Sequence, residues 1–211
     1  MVAGKILPES PGGMARVLPT PVVTPSSLPM ENVESTNPIA EEKSALFAAV
    51  KKVFAAEGWD FHEIPGRAVI QAGFEAHHTR VELHVQAFPA LNAVSVVSES
   101  PLTTSDPAQR ERFAELVLRA NQNLTVGNFE MDWDTGRVLF RATNLFPSEA
   151  ADPEIVRGLV HTTILEMDRL SPLLVLILQA SGPALAGLNL PELMSRLDLL
   201  PGANDSPGGG A

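Results

Sequence analysis

Residues 113–141 read FAELVLRANQNLTVGNFEMDWDTGRVLFR, and this stretch decides the fold class. Phe113, Leu116, Val117 and Ala120 recur at the three- and four-residue spacing of a helix with one buried side. The period then changes. From Asn128 to Trp133, and again from Arg137 to Thr143, the pattern is that of strands. Between them lies Asp134-Thr135-Gly136, a tight turn in which glycine is free to take a positive φ and set the hairpin register. Upstream, Asp106 is placed to cap the helix and Pro107 suits its first position, so the helix is expected to run from there to about Asn123.

Toward the N-terminus the alternation is cleanest at Arg80–Ala87. Val81, Leu83, Val85 and Ala87 fall on one face, and Arg80, Glu82, His84 and Gln86 on the other. Such alternation predicts an antiparallel sheet covered on a single side. A strand over Ala68–Phe74 joins it through the short polar link Ala76-His77-His78, and a third strand is expected over Ala93–Glu99. Before these, Leu46, Phe47, Val50, Val53 and Phe54 make a helical stripe over Glu41–Glu57, which Gly58 ends.

Toward the C-terminus a long helix opens at Asp152-Pro153-Glu154 and carries Val156, Leu159, Val160, Thr163, Met167 and Leu170 on one face. Ile155, Ile164 and Leu165 lie off that face. Pro172 is expected to kink the helix or to start a new turn capped by Ser171. The predicted architecture is α+β, in the order α-β-β-β-α-β-β-α, with an antiparallel sheet of about five strands covered on one side by helices.

Proline marks the limits of this domain: seven of the eighteen fall in the first forty residues and four after residue 180. Residues 1–40 lack any apolar period and are read as a disordered, proline-rich arm. Residues 41–180 form the domain. Residues 181–211 are read as a flexible tail with a short amphipathic helix near 190–200, where Leu190, Leu193, Met194, Leu197 and Leu200 keep helical spacing.

The formal charge of −10 opposes nucleic-acid binding, since acidic residues are spread through the domain. Arg110, Arg112 and Arg119 share a helix but are interleaved with Glu111 and Glu115, which reads as a solvated face. The chain has no cysteine, which fits a reducing cytoplasm and removes disulfides and thiolate metal sites. After Lys5 the N-terminus is broken by Pro8, Glu9 and Pro11, so no secretory signal is expected. Leu170–Leu188 is uncharged, yet strong hydrophobicity is continuous only over Leu173–Leu178, and no membrane span is expected.

The residues Arg119-Ala120-Asn121, Leu124, Gly127-Asn128-Phe129-Glu130-Met131-Asp132 and Thr135–Arg141, with Asp168-Arg169 and Pro172 before an apolar run, carry a resemblance. Over about Glu41 to Ala180 the chain resembles the YbjN family, also called the bacterial sensory transduction regulator family. The resemblance implies the type III secretion chaperone-like fold and a non-enzymatic regulator. The related secretion chaperones are dimers that hold an extended client segment. It brings no catalytic residues.

A search for chemistry in the sequence finds little. His77 and His78 are neighbours expected to point apart, and no metal or cofactor is expected. Asp132, Asp134 and Gly136 resemble a calcium loop, but the glycine is one position early and Thr143 stands where a glutamate is needed. Glu130 and Asp132 share an outward strand face, as solvated carboxylates do. There is no Gly-x-Ser-x-Gly elbow and no phosphate-binding glycine loop. The expected function is protein binding by an adaptor or chaperone-like regulator with an unidentified client, and a homodimer is the simplest form of it. The assigned surface is the apolar excess at Leu173, Leu174, Leu176 and Ile177, with Leu193 and Leu197. The alternative is a small-molecule binder or enzyme whose site gathers His62, His84 or Arg141 in three dimensions.

Overall fold

Ser44 opens the first helix of the computed structural model, which describes residues 44–196. Its hydroxyl accepts the Phe47 N–H at 3.1 Å, satisfying one of the donors a helix start leaves free. Helix α1 (Ala45–Glu57) ends at Gly58, whose φ of 69° is the left-handed conformation only glycine adopts without strain. Leu46, Phe47, Val50, Val53 and Phe54 are buried as their spacing predicts. The expected start at Glu41 lies outside the described residues.

Six strands follow, not five: β1 (His62–Glu63), β2 (Val69–Glu75), β3 (Arg80–Phe88), β4 (Ala93–Glu99), β5 (Asn128–Asp132) and β6 (Arg137–Leu145). The extra one, β1, has two exposed residues and therefore no alternation to read. The sheet order is β1-β2-β3-β4-β6-β5, and every neighbouring pair is antiparallel.

Helix α2 (Pro107–Asn121) crosses from β4 to β5, with the Asp106 carboxylate accepting the Gln109 N–H at 2.9 Å. It stops two residues short of the expected end. Helix α3 (Pro153–Gln179) spans 27 residues and runs through Pro172. Ser171 is not a cap. Its hydroxyl donates to the Met167 carbonyl at 2.7 Å, so no new turn starts there. Two short helices, α4 (Gly182–Ala186) and α5 (Leu190–Ser195), complete the described chain. Among the described residues no helix is long and apolar enough to cross a membrane.

The helices cover one face of the sheet. On that inner face Ile70, Val85, Val96 and Ala142 form one row, and Ala72, Leu83, Ser98, Phe140 and Phe129 the next. All nine are buried. Ser98 is satisfied there because its hydroxyl donates to the Glu82 carbonyl at 2.7 Å.

Two polar side chains tie the layers together. Asp168, 7% exposed on α3, accepts the backbone N–H groups of His78 and Thr79 at 2.6 and 2.9 Å. It thereby pins the β2–β3 loop to the helix. Asn121, at the end of α2, donates to the Phe129 carbonyl at 3.0 Å and accepts the Phe129 N–H at 2.8 Å. One side chain thus supplies both bonds that a further strand would make to this residue of β5.

Candidate functional site

The outer face of the sheet follows from the same registers, taken one residue over. His62, Gln71, His84, Val97, Arg141 and Asn128 make one row across all six strands. Val69, Gln86, Ser95 and Thr143 make a second, in which the Thr143 hydroxyl meets the Ser95 hydroxyl at 2.9 Å. Phe88, Ala93 and Leu145 make a third, at one corner.

The face is graded in character. Its far end is charged: Arg80 pairs with Glu75 and Glu82, and Arg137 with Glu99 and Asp132. The middle is neutral, with amides and hydroxyls. The remaining corner is apolar: Leu145 is 70% exposed, Phe88 is half-buried, and Leu91 in the turn joining β3 to β4 is 65% exposed. Two large exposed leucines beside an exposed aromatic edge cost hydration free energy unless something covers them.

Ion pairs engage the charged side chains of this face with one another. Arg141 binds Glu130 through two bonds of 2.8 and 3.2 Å. The guanidinium holds the Glu130 carboxyl below its ordinary range, against the opposing effect of partial burial, and Glu130 in turn raises Arg141. Asp132 is lowered first by the Thr135 side chain and further by the N–H groups of Asp134 and Thr135, as a turn aspartate should be. Both carboxylates are therefore engaged in structure.

His62, His84 and Arg141 do share one row, but alternate members of that row are separated by an intervening strand, about 10 Å at the usual strand spacing. These side chains are spread along the row and do not converge on one atom. His77 and His78 do not point apart: their rings meet edge to face with centroids 4.4 Å apart. Among the described residues no three His, Cys, Asp or Glu side chains are placed to hold a metal.

The residues assigned to protein binding from the sequence sit elsewhere than expected. Leu173, Leu174 and Ile177 are fully buried, and Leu176 is half-buried against the same core. Leu173, Leu174 and Ile177 carry the fold and offer no surface. Leu193 is half-buried against the core, and Leu197 lies outside the described residues. The apolar excess of α3 is used internally: Leu185 of α4 and Leu190 of α5 are 4% and 1% exposed and belong to the same core. The neighbouring backbone is held by α2. The Gln109 amide donates to the carbonyls of Leu178 and Ala180 at 3.0 and 3.2 Å, and Arg112 donates to that of Leu188.

The arginines of α2 are likewise structural instead of solvated. Arg110 donates to the Trp133, Asp134 and Ser105 carbonyls, while Arg112 and Arg119 share Glu115. Sequence reasoning missed these positions together with Asn121 and Asp168. For Asp168 no local signal exists: it stands between Glu166 and Arg169 in a charged turn of α3, where a solvated carboxylate is the ordinary expectation, and only the tertiary structure buries it.

A family model described as "Putative bacterial sensory transduction regulator", the YbjN model, matches residues 47–174. The chain therefore belongs to the YbjN family. Among solved structures it is similar to the crystal structure of YbjN from E. coli, "a putative transcription regulator". That match has a TM-score of 0.43 and 9% identity, and covers 58% of this chain and 85% of the other. No curated protein matches the chain. The family's description is that of a regulator. The stretch holding α4 and α5 lies beyond the matched residues.

Proposed function

We propose that this member of the YbjN family is a non-enzymatic regulator that binds a protein partner on the open face of its sheet, at the corner of Phe88, Leu91 and Leu145. The observation that carries the reading is this corner: exposed apolar side chains at one end of a face that no described helix covers. Half-buried Gln86 and exposed Thr143 beside it can hydrogen-bond a partner without desolvating a charge, while Ser95 is buried beneath them with its hydroxyl on Thr143. The chain's lack of cysteine suits a reducing cytoplasm as the place of action.

Both sheet edges are poor templates for strand addition. β1 has two residues, and on β5 Asn121 occupies the Phe129 groups while Arg110 takes the Trp133 carbonyl. Docking of side chains on the face is thus favoured over extension of the sheet.

A photo-crosslinking amino acid placed at Thr143, the exposed member of the neutral row, tests this against one placed at Leu165, which is 63% exposed on α3. Crosslinks to one protein from position 143 and none from 165 are expected; the reverse pattern overturns the reading. If the crosslinked species is the chain itself and light scattering gives a doubled mass, the partner is a second copy.

A further inference from the structure

Asp168 is a buried carboxylate without a counter-ion. It is 7% exposed, and the two bonds it accepts, from the His78 and Thr79 N–H groups, both fall on Oδ1. Among the described residues Asp168 belongs to no ion pair. The cations nearest to it along the chain are committed elsewhere. Arg169, its neighbour on α3, binds Glu166, and Arg80, next to Thr79, binds Glu75 and Glu82. A carboxylate has two oxygens to satisfy, and one withdrawn from water with no opposite charge beside it carries a cost that the two N–H bonds on Oδ1 offset only in part.

Asp168 also lines a hollow. Where the β2–β3 loop meets α3, an open cavity of about 310 Å³ is bounded by Ala76, His77, His161, Ile164, Leu165 and Asp168. No Lys or Arg stands in this lining, and Asp168 is its one carboxylate. The two imidazoles are braced from behind: the His161 ring lies 5.5 Å from that of Trp59, and the His77 ring 4.4 Å from that of His78. Ala76, Ile164 and Leu165 supply an apolar wall. Walls of this kind around one fixed charge suit a ligand with a small apolar body and one charge of the opposite sign.

We propose that the hollow binds a small primary ammonium compound, its N–H groups on Asp168 Oδ2 and its short carbon chain against Ala76, Ile164 and Leu165. A primary ammonium is favoured over a quaternary one because it can donate a charge-assisted hydrogen bond to the carboxylate. The ligand supplies the counter-ion that the chain does not. The site is separate from the corner at Phe88, Leu91 and Leu145, since α3 belongs to the helical layer on the other side of the sheet. Binding of the ammonium compound is therefore independent of the protein partner proposed for that corner.

The probe is n-butylammonium, with n-butanol as its uncharged counterpart, titrated into the full-length chain and followed by the amide resonances of His78 and Thr79. Those two N–H groups bond the same carboxylate and report directly on it. Saturable shifts at both are expected with n-butylammonium, and none with n-butanol. Asp168→Asn keeps an acceptor for the two N–H groups and removes the charge, so the fold is expected to persist while affinity falls about tenfold or more. A second variant guards against misfolding of the first. Leu165 is 63% exposed and stands three residues before Asp168 on α3, so Leu165→Arg brings a guanidinium within reach of the carboxylate and is expected to abolish binding in a folded chain. Absence of saturable shifts in the parent, equal shifts with n-butanol, or undiminished binding in either folded variant overturns the proposal.

Discussion

His84 and Val85 are adjacent on β3, yet one stands in water and the other in a fully buried core. The difference holds across the sheet. On the inner face every row is apolar or internally satisfied, and its partners α1, α2 and α3 belong to the same chain. On the outer face the rows run from charged through neutral to apolar, and no described helix lies over them. The inner face answers the question of folding. The outer face, in particular its apolar corner, has a cost that folding does not offset, which is why it carries the functional reading.

Substitutions on the inner side should have the larger effects on stability. Leu174→Asp places an unpaired carboxylate where a leucine is fully buried, and should cost more than about 4 kcal/mol, enough to abolish the cooperative thermal transition. Asp168→Ala leaves the N–H groups of His78 and Thr79 without their acceptor, a loss of about 2–3 kcal/mol by denaturant titration. Amide exchange should quicken first at those two residues. An unchanged midpoint for either variant would break the distinction between the faces.

Asn121→Ala should cost about 1–2 kcal/mol by removing both bonds to Phe129. It also opens the edge of β5, so the variant should self-associate as concentration rises, detectable by light scattering. A smaller effect is expected on the outer face at Glu130. Its folded carboxyl lies below the ordinary glutamate range because of Arg141. Its contribution is therefore present above the unfolded-state value and is lost as pH falls through the lowered folded value. Both side chains are more than a third exposed, so the contribution is below about 1 kcal/mol. Arg141→Gln should return the Glu130 titration toward the ordinary range in an NMR pH series and flatten the acid limb of the stability curve.

Two carboxylates that accept loop N–H groups, one in a turn and one on a helix, show how much of this is legible. Asp132 serves N–H groups two and three residues ahead, and the turn around it was readable from Asp134-Thr135-Gly136 alone. Asp168 serves N–H groups some ninety residues back, and no local pattern names its partners. The same division runs through the fold. Caps, strand alternation and the helix-to-hairpin order are short-range and were read, whereas β1 is too short to show a period. The wide apolar surface of α3 suggests an interface in the sequence because Leu185 and Leu190, part of the core that absorbs it, follow a proline- and glycine-containing stretch with the composition of a flexible tail. The open corner is illegible for a related reason: Phe88 and Leu145 are brought to the same end of one face, on either side of Ala93, only through the pairing of β3, β4 and β6, with Leu91 in the turn that joins β3 to β4.

The central claim is that the outer corner binds and does not fold. It is tested most directly by the double variant Leu91→Asp with Leu145→Asp, measured for thermal unfolding and for retention of the protein crosslinked from position 143. The account predicts a stability within about 0.5 kcal/mol of the parent, as for other exposed sites, together with loss of the partner. A variant that keeps its partner with full occupancy while remaining folded would contradict it.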